Sequence, residues 1–252
     1  MTGPSRPADH FSSVSAAYSA FRPRYPPELI EFFASLAPER HIAWDCGAGS
    51  GQATSDIALH FDFVIGTDLS VEQVAKAASN ERVGWAACSA EAVCIRSGSV
   101  DAIAVAQALH WFKHDAFYAE VRRVASAPGI AVVAWTYAAP QMEGDVGGVL
   151  KRFMHEDVGP YWPPERVYVD NEYRTIPFPF ERISTPTFSL ENEWTLSQIA
   201  GYMRSMSATA RYIKANGTDP VVAVHDELKS LWADESPRRI VWPVIVLAGR
   251  VS

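Results

Sequence analysis

The sequence predicts an α/β fold with a mostly parallel sheet and an inserted cap. Three observations carry this. Short apolar runs alternate with segments of helical periodicity as far as Tyr137. A glycine-rich turn, Gly47 to Gly51, lies where a strand should pass into a helix. Proline and aromatic residues then dominate residues 138–238, before a strongly β-forming segment, Arg239 to Val251, closes the chain.

Each element has a local cause. Leu29, Ile30, Phe32, Phe33 and Leu36 fall at helical spacing after Pro26-Pro27, which suits a helix start. His41 to Asp45 reads as a strand and Gln52 to His60 as the helix after the glycine turn. Phe61 to Thr67 is a second strand. Ser70-Val-Glu-Gln73 matches a capping box, so a helix starts at Val71, with Val74, Ala75 and Ala78 in its apolar stripe. Val83 to Cys88 is a third strand. Val100 to Gln107, largely apolar, is a fourth, buried on both faces. Asp115 to Ala127 is a helix with Phe117, Val121 and Val124 on one side. Pro128-Gly129 is a turn and Ile130 to Tyr137 a fifth strand. In the cap, Arg182 to Leu190 reads as a strand and Leu196 to Ser205 as a helix. The division expected is a core of residues 1–137 and 239–252, with 138–238 as a cap and substrate-binding insertion that includes part of the sheet.

Of 252 residues, 48% are hydrophobic and 20% charged, values of a globular chain with a real core. The net charge of −7 argues against nucleic acid as partner, because phosphate neutralisation supplies most non-specific affinity for it. Cys46, Cys88 and Cys94 form no C-x-x-C pair and read as small buried hydrophobes in a reducing compartment. Met1 to His10 is polar, and the longest apolar stretch, Val100 to Phe112, contains Asp101, Gln107 and His110. No signal peptide or membrane span is expected, and the expected location is cytoplasmic. No His/Asp/Glu cluster has metal-ligand spacing.

The glycine turn points to an adenosyl ligand. Asp68 ends the next strand, 19 residues after Gly49, where an acid accepts hydrogen bonds from ribose hydroxyls. The spacing is G-x-G-x-G rather than the G-x-G-x-x-G of dinucleotide sites. Asp45, just before the loop, would oppose a pyrophosphate but tolerates a cationic ligand such as S-adenosylmethionine. The other reading of Asp45 is a carboxylate that orders the loop. A nicotinamide-dependent oxidoreductase and a non-catalytic binding protein on this fold are the alternatives.

Asp45-Cys-Gly-Ala-Gly-Ser-Gly51 and Gly66-Thr-Asp-Leu-Ser70 resemble the first two motifs of class I S-adenosylmethionine-dependent methyltransferases. Tyr18 to Pro26, Ala106-Gln-Ala-Leu-His-Trp-Phe112 and Ile240 to Arg250 narrow the resemblance to the type 11 branch that includes trans-aconitate methyltransferase-like proteins. It implies a Rossmann-like three-layer sandwich with a seven-stranded sheet, the last strand antiparallel. It also implies S-adenosylmethionine as cofactor. Gly47, Ala48, Gly49 and Gly51 would line the cofactor's methionyl-adenosyl bend and Asp68 would hold the ribose. Leu69 would pack on the adenine, beside Ser89-Ala90-Glu91. Many relatives carry Asp where this chain has Ser89. Gln107 and Ala108 would close the fourth strand beneath the sulfonium.

Other candidates follow from position. Tyr18 and Arg24 precede the first strand, where a segment commonly covers the cofactor; they read either as a clamp on its carboxylate or as packing and solvated residues. His110, just past the fourth strand, has an ordinary pKa near 6.5 that suits a base or a hydrogen-bonding group. Methyl transfer needs a base only for a protonated acceptor. Trp111, Trp135, Trp162 and Tyr212 are candidates for an aromatic pocket holding a small-molecule acceptor, a carboxylate or hydroxyl, or else for the cap's own core. Arg204 and Arg211 are candidate cations for an acidic acceptor.

Overall fold

The structure, a computed structural model, describes residues 24–232, 234 and 236–252. The parallel set comprises β1 (Ile42–Cys46), β2 (Phe63–Asp68), β3 (Val83–Ala87), β4 (Ala102–Ala106) and β5 (Ala131–Tyr137). Two strands from residues 138–238, β6 (Glu181–Arg182) and β7 (Phe188–Trp194), pair antiparallel with β8 (Arg238–Arg250), which is itself antiparallel to β5. The sheet order is β3-β2-β1-β4-β5-β8-β6, with β7 also on β8. All strands except the last therefore run one way. There are eight rather than seven, because the expected strand 182–190 is broken. Pro186, which has no amide hydrogen for a ladder, lies between β6 and β7.

The helices are α1 (Pro27–Ser35), α2 (Thr54–Ile57), α3 (Val71–Ala75), α4 (His114–Val124) and, in the cap, α5 (Gly144–Arg152), α6 (Arg166–Asp170), α7 (Leu196–Arg204), α8 (Ser207–Asn216) and α9 (Val221–Leu231). Strand alternation divides the core into two layers. Ala102, Ala104, Val133 and Trp135 face α1, α7 and α9, whereas Ile103, Val105, Val132 and Ala134 face α4. Phe117, Val121 and Val124 of α4 have no exposed surface, and each such side chain contributes about 2 kcal/mol on burial. Residues 138–238 feed both layers: α5, α7 and α9 on one side, Tyr173, Ile176 and Phe180 on the other.

Two local expectations are corrected. The helix after the glycine turn holds only four α-helical residues. In α3 the expected apolar stripe does not form: Val71 is exposed and Gln73 is the buried residue. The Ser70 hydroxyl does accept from the Gln73 amide at 3.3 Å, but the Ser70 amide donates to Asp68 rather than to the Gln73 side chain. Asp68 has taken over the reciprocal half of the capping box. The cysteines also differ from expectation. Cys46 is buried, Cys88 is half-buried and Cys94 is exposed, with the last two sulfurs 3.6 Å apart. Among the described residues no helix is long and apolar enough to cross a membrane.

Candidate active site

The C-terminal ends of β1, β2, β4 and β5 share one rim, and the glycine loop is pinned there by backbone hydrogen bonds. The Gly47 and Ala48 amides both donate to the Thr67 carbonyl, at 2.8 and 2.9 Å. Gly47 has φ of +71°, and a Cβ on it would lie 2.5 Å from Cβ of Ala108 at the end of β4. Only glycine fits that approach. Gly49 has φ of +58° and differs: a Cβ there meets nothing within 4 Å. The Gly49 and Ser70 amides donate to the two oxygens of Asp68 at 2.8 Å each. Leu69, next in sequence, is exposed. Gly51 abuts the ring of Trp85, a β3 residue not singled out from sequence.

Asp45 is fully buried beneath this loop. Its Oδ2 accepts from the Thr54 hydroxyl at 2.6 Å, and its Oδ1 has no partner. Burial raises its pKa to about 7; the Thr54 hydrogen bond opposes this and the charge of Asp68 adds to it. Ser89 and Glu91 form a second linked unit. The Ser89 hydroxyl donates to the Glu91 carboxylate, which accepts from the Lys113 amide at 2.9 Å, and Ala90 between them is buried. Arg24 is exposed, and the partner charge it feels is that of Asp56. Tyr18 lies outside the described residues.

Past the C-terminal ends of β4 and β5 is a cavity of about 100 Å³. Gln107, His110 and Trp111 reach it from the end of β4, Tyr137 from the end of β5, and Trp162 and Arg166 from residues 138–238. Arg166 places its guanidinium 4.3 Å from the Trp162 ring centre, while its Nε donates to Asp170 at 2.7 Å. The Trp162 indole is fixed by donation to the Met154 carbonyl at 2.9 Å. Two expected pocket residues are elsewhere. Trp135 points to the α1 layer, where it meets Tyr25 edge-on at 5.7 Å and has no exposed surface. Tyr212 packs edge-on against Tyr161 at 4.9 Å, inside the cap. Arg204 is paired with Asp219 at 2.7 Å, and neither it nor Arg211 lines the cavity.

His110 is buried, with Nδ1 2.8 Å from the Tyr173 hydroxyl. Burial above all, with the charges of Arg166 and His114 adding to it, lowers its pKa to about 3. The imidazole is therefore neutral at physiological pH, not poised near 6.5 as the unperturbed side chain would be. Sequence reasoning missed Arg166, Thr54 and Tyr173. Arg166 sat one turn after Trp162-Pro-Pro with no motif around it. Tyr173 is reached through two consecutive left-handed residues, Glu172 at +54° and Tyr173 at +58°, which no sequence pattern announces.

Comparison with known proteins bears on the family and the fold. A family model described as a methyltransferase domain matches residues 44–133, from β1 into β5. A Dictyostelium discoideum protein named as a methyltransferase is 37% identical over 229 residues, 89% of this chain and 87% of its own. A solved structure described as a type II methyltransferase from Anaeromyxobacter dehalogenans is 39% identical, with a TM-score of 0.85, covering 91% of this chain and 98% of that one. The YcgJ protein of Bacillus subtilis, 17% identical with a TM-score of 0.54 over 89% of this chain and 98% of its own, shares the fold. These relatives support the broad class and not the narrower trans-aconitate-like branch. The chain belongs to the class I S-adenosylmethionine-dependent methyltransferases.

Proposed function

We propose that the protein transfers a methyl group from S-adenosylmethionine to a small acidic molecule held in the cavity past the ends of β4 and β5. The observation that carries the acidic acceptor is Arg166. Its guanidinium lines the cavity, is flattened against Trp162, and spends only Nε on Asp170, so its two terminal nitrogens have no hydrogen-bond partner among the described residues. That geometry suits a carboxylate gripped by a planar fork.

The residues at the rim fit the cofactor. Among the described residues four buried side-chain polar atoms lack partners: Nε1 of Trp85, Nε1 of Trp135 and, at the ends of β1 and β4, Oδ1 of Asp45, an acceptor, and Nε2 of Gln107, a donor. A zwitterionic methionyl end needs one of each. The open side of Gly49 leaves room for a ligand against the backbone, Asp68 stands at the end of β2 where a carboxylate would meet the ribose, and exposed Leu69 offers an apolar face for adenine. Ser89, Ala90 and Glu91 would bound the adenine edge. The cofactor when bound supplies an electrophilic methyl on a sulfonium. The chain's task is then to orient the acceptor and exclude water, the contribution expected for an in-line displacement. Residues 138–238 act as the acceptor-binding cap in this reading, through Trp162 and Arg166. Trp111 is a wall, and His110 is a neutral hydrogen-bonding group.

Calorimetry with S-adenosylhomocysteine and with NAD, followed by a screen of labelled cofactor against small carboxylic acids, phenols and neutral analogues, tests this. Binding of the first ligand alone and methylation of acids support it. Methylation confined to neutral compounds removes the acidic acceptor.

A further inference from the structure

We infer that Cys88 and Cys94 form a modification site: low-molecular-weight disulfides such as oxidised glutathione convert the pair into an intramolecular disulfide, and that bond weakens cofactor binding. The second half rests on the reading of Ser89, Ala90 and Glu91 as the adenine edge.

The two sulfurs are 3.6 Å apart, and a disulfide spans about 2.05 Å, so closure asks for a movement of roughly 1.5 Å. The backbone holds this approach from both sides. The Cys88 amide donates to the Asp68 carbonyl at 2.9 Å, which ties the end of β3 to β2. Cys94 stands between two residues held by α4. The Val93 amide donates to Glu120 at 2.8 Å, and Arg123 donates to the Val93 and Ile95 carbonyls at 3.0 and 2.8 Å. Val93 and Ile95 are buried in the layer of α4, whereas Cys94 between them is exposed, so a disulfide from solvent can reach its sulfur. Half-buried Cys88 is then the thiol beside it. Cys46, which is buried, takes no part.

The exchange balances in atoms and electrons. The Cys94 thiolate attacks one sulfur of oxidised glutathione, the S–S bond breaks, and one glutathione thiolate leaves and takes up a proton. Cys88 gives its proton to solvent and attacks the Cys94 sulfur. That step breaks the mixed disulfide and expels the second glutathione, which is protonated in turn. The protein loses two electrons and two protons, and oxidised glutathione gains both as two thiols. Excess reduced glutathione runs the steps backward.

The new bond encloses Ser89, Ala90 and Glu91 in a short loop. That loop has a fixed shape in the reduced chain. The Ala92 amide donates to the Ser89 carbonyl at 3.3 Å, the Glu91 amide to the Ser89 hydroxyl at 3.2 Å, and the Lys113 amide to the Glu91 carboxylate at 2.9 Å. With β2 holding one end and α4 the other, the contraction falls on this turn and shifts Ser89 and Glu91 against the rest of the rim. A cofactor that fits the reduced shape binds the oxidised chain less tightly. By linkage it also resists the oxidation, and by the same factor.

The test places the full chain in mixtures of oxidised and reduced glutathione, quenches with acid and reads the mass. Expected is a species lighter than the reduced chain by two hydrogens. Glu91 lies between the two cysteines, so cleavage after it should leave the Cys88 and Cys94 peptides joined until a reductant is added. Cys88→Ser should stop at a glutathione adduct on Cys94. A native chain that also stops at that adduct, or stays reduced, overturns the disulfide. Calorimetry with S-adenosylhomocysteine then compares the oxidised and reduced chains. Expected is a loss of affinity of about 5-fold or more, with saturating ligand shifting the glutathione ratio at half-oxidation by the same factor. Equal affinities overturn the coupling. Binding to neither form removes the cofactor reading and the coupling together, while the mapped crosslink, which needs no cofactor, still decides the disulfide.

Discussion

The Thr54 hydroxyl donates to Asp45 at 2.6 Å, the only hydrogen bond that this fully buried carboxylate receives among the described residues. It lowers the pKa of Asp45 but loses to burial, and the group is left at about 7. One side chain thus sets how much negative charge lies under the glycine loop at neutral pH.

A raised folded-state pKa means that the folded protein favours protonated Asp45. The favourable term is complete below the ordinary value of 3.8 and is lost as pH rises through about 7. Asp45→Asn removes the titration. Its unfolding free energy relative to the native chain should rise between about pH 4 and about pH 8, by an amount on the order of 4 kcal/mol if the whole shift is expressed. Melts across that range by calorimetry check it; a constant offset would contradict it.

The same group couples cofactor affinity to pH. The ammonium of S-adenosylhomocysteine favours ionised Asp45, so its affinity should rise from about pH 6 to about pH 8, with proton release on binding. Thr54→Val removes the bond that holds the pKa down, and should shift this rise to higher pH. Titrations in buffers of different ionisation enthalpy read both effects.

Two glycine variants separate stability from binding. Gly47→Ala places a methyl 2.5 Å from Ala108, at φ of +71°, and should cost about 2 kcal/mol or more of stability. Gly49→Ala meets no atom within 4 Å and should cost about 1 kcal/mol through its backbone alone. Its larger effect should be on S-adenosylhomocysteine affinity, because the methyl fills the open side of the loop. Chemical denaturation and calorimetry compare the pair.

Arg166→Gln should raise KM for an acidic acceptor by about 10- to 100-fold, the worth of a charge-assisted hydrogen bond, with cofactor affinity unchanged. Loss of the Arg166 charge should also lift the pKa of His110, though burial, the larger cause, remains. Steady-state kinetics and a histidine titration give the two readouts.

Thiol labelling should follow exposure. Cys94 reacts first, half-buried Cys88 more slowly, and buried Cys46 only on unfolding. Burial raises Cys88 to about 11 and holds Cys46 well above its ordinary value. Timed alkylation read by mass spectrometry gives the order.

The glycine loop, Asp68 and the parallel strands were legible because their constraints are local. The positive φ of Gly47 belongs to the glycine turn itself, although the Ala108 contact that also requires glycine there is 61 residues away, and the capping signal of Ser70 lies within three residues of its partner. The cavity at the ends of β4 and β5 was not. Trp135 and Trp162 look alike in sequence, and what separates them is strand alternation in one case and contact with Arg166 in the other. The Tyr173–His110 contact spans 63 residues and depends on a left-handed turn with no glycine in it. Nothing in the string of residues told the exposed Cys94 from the buried Cys46.

The placement of β8 has an implication for biosynthesis. Its thirteen residues pair with β7 through Arg238–Val244 and with β5 through Val244–Arg250. The strand that joins the cap's β7 to the parallel core is thus translated after everything it touches. Until β8 has emerged from the ribosome, β5 and β7 have no ladder partner on that side.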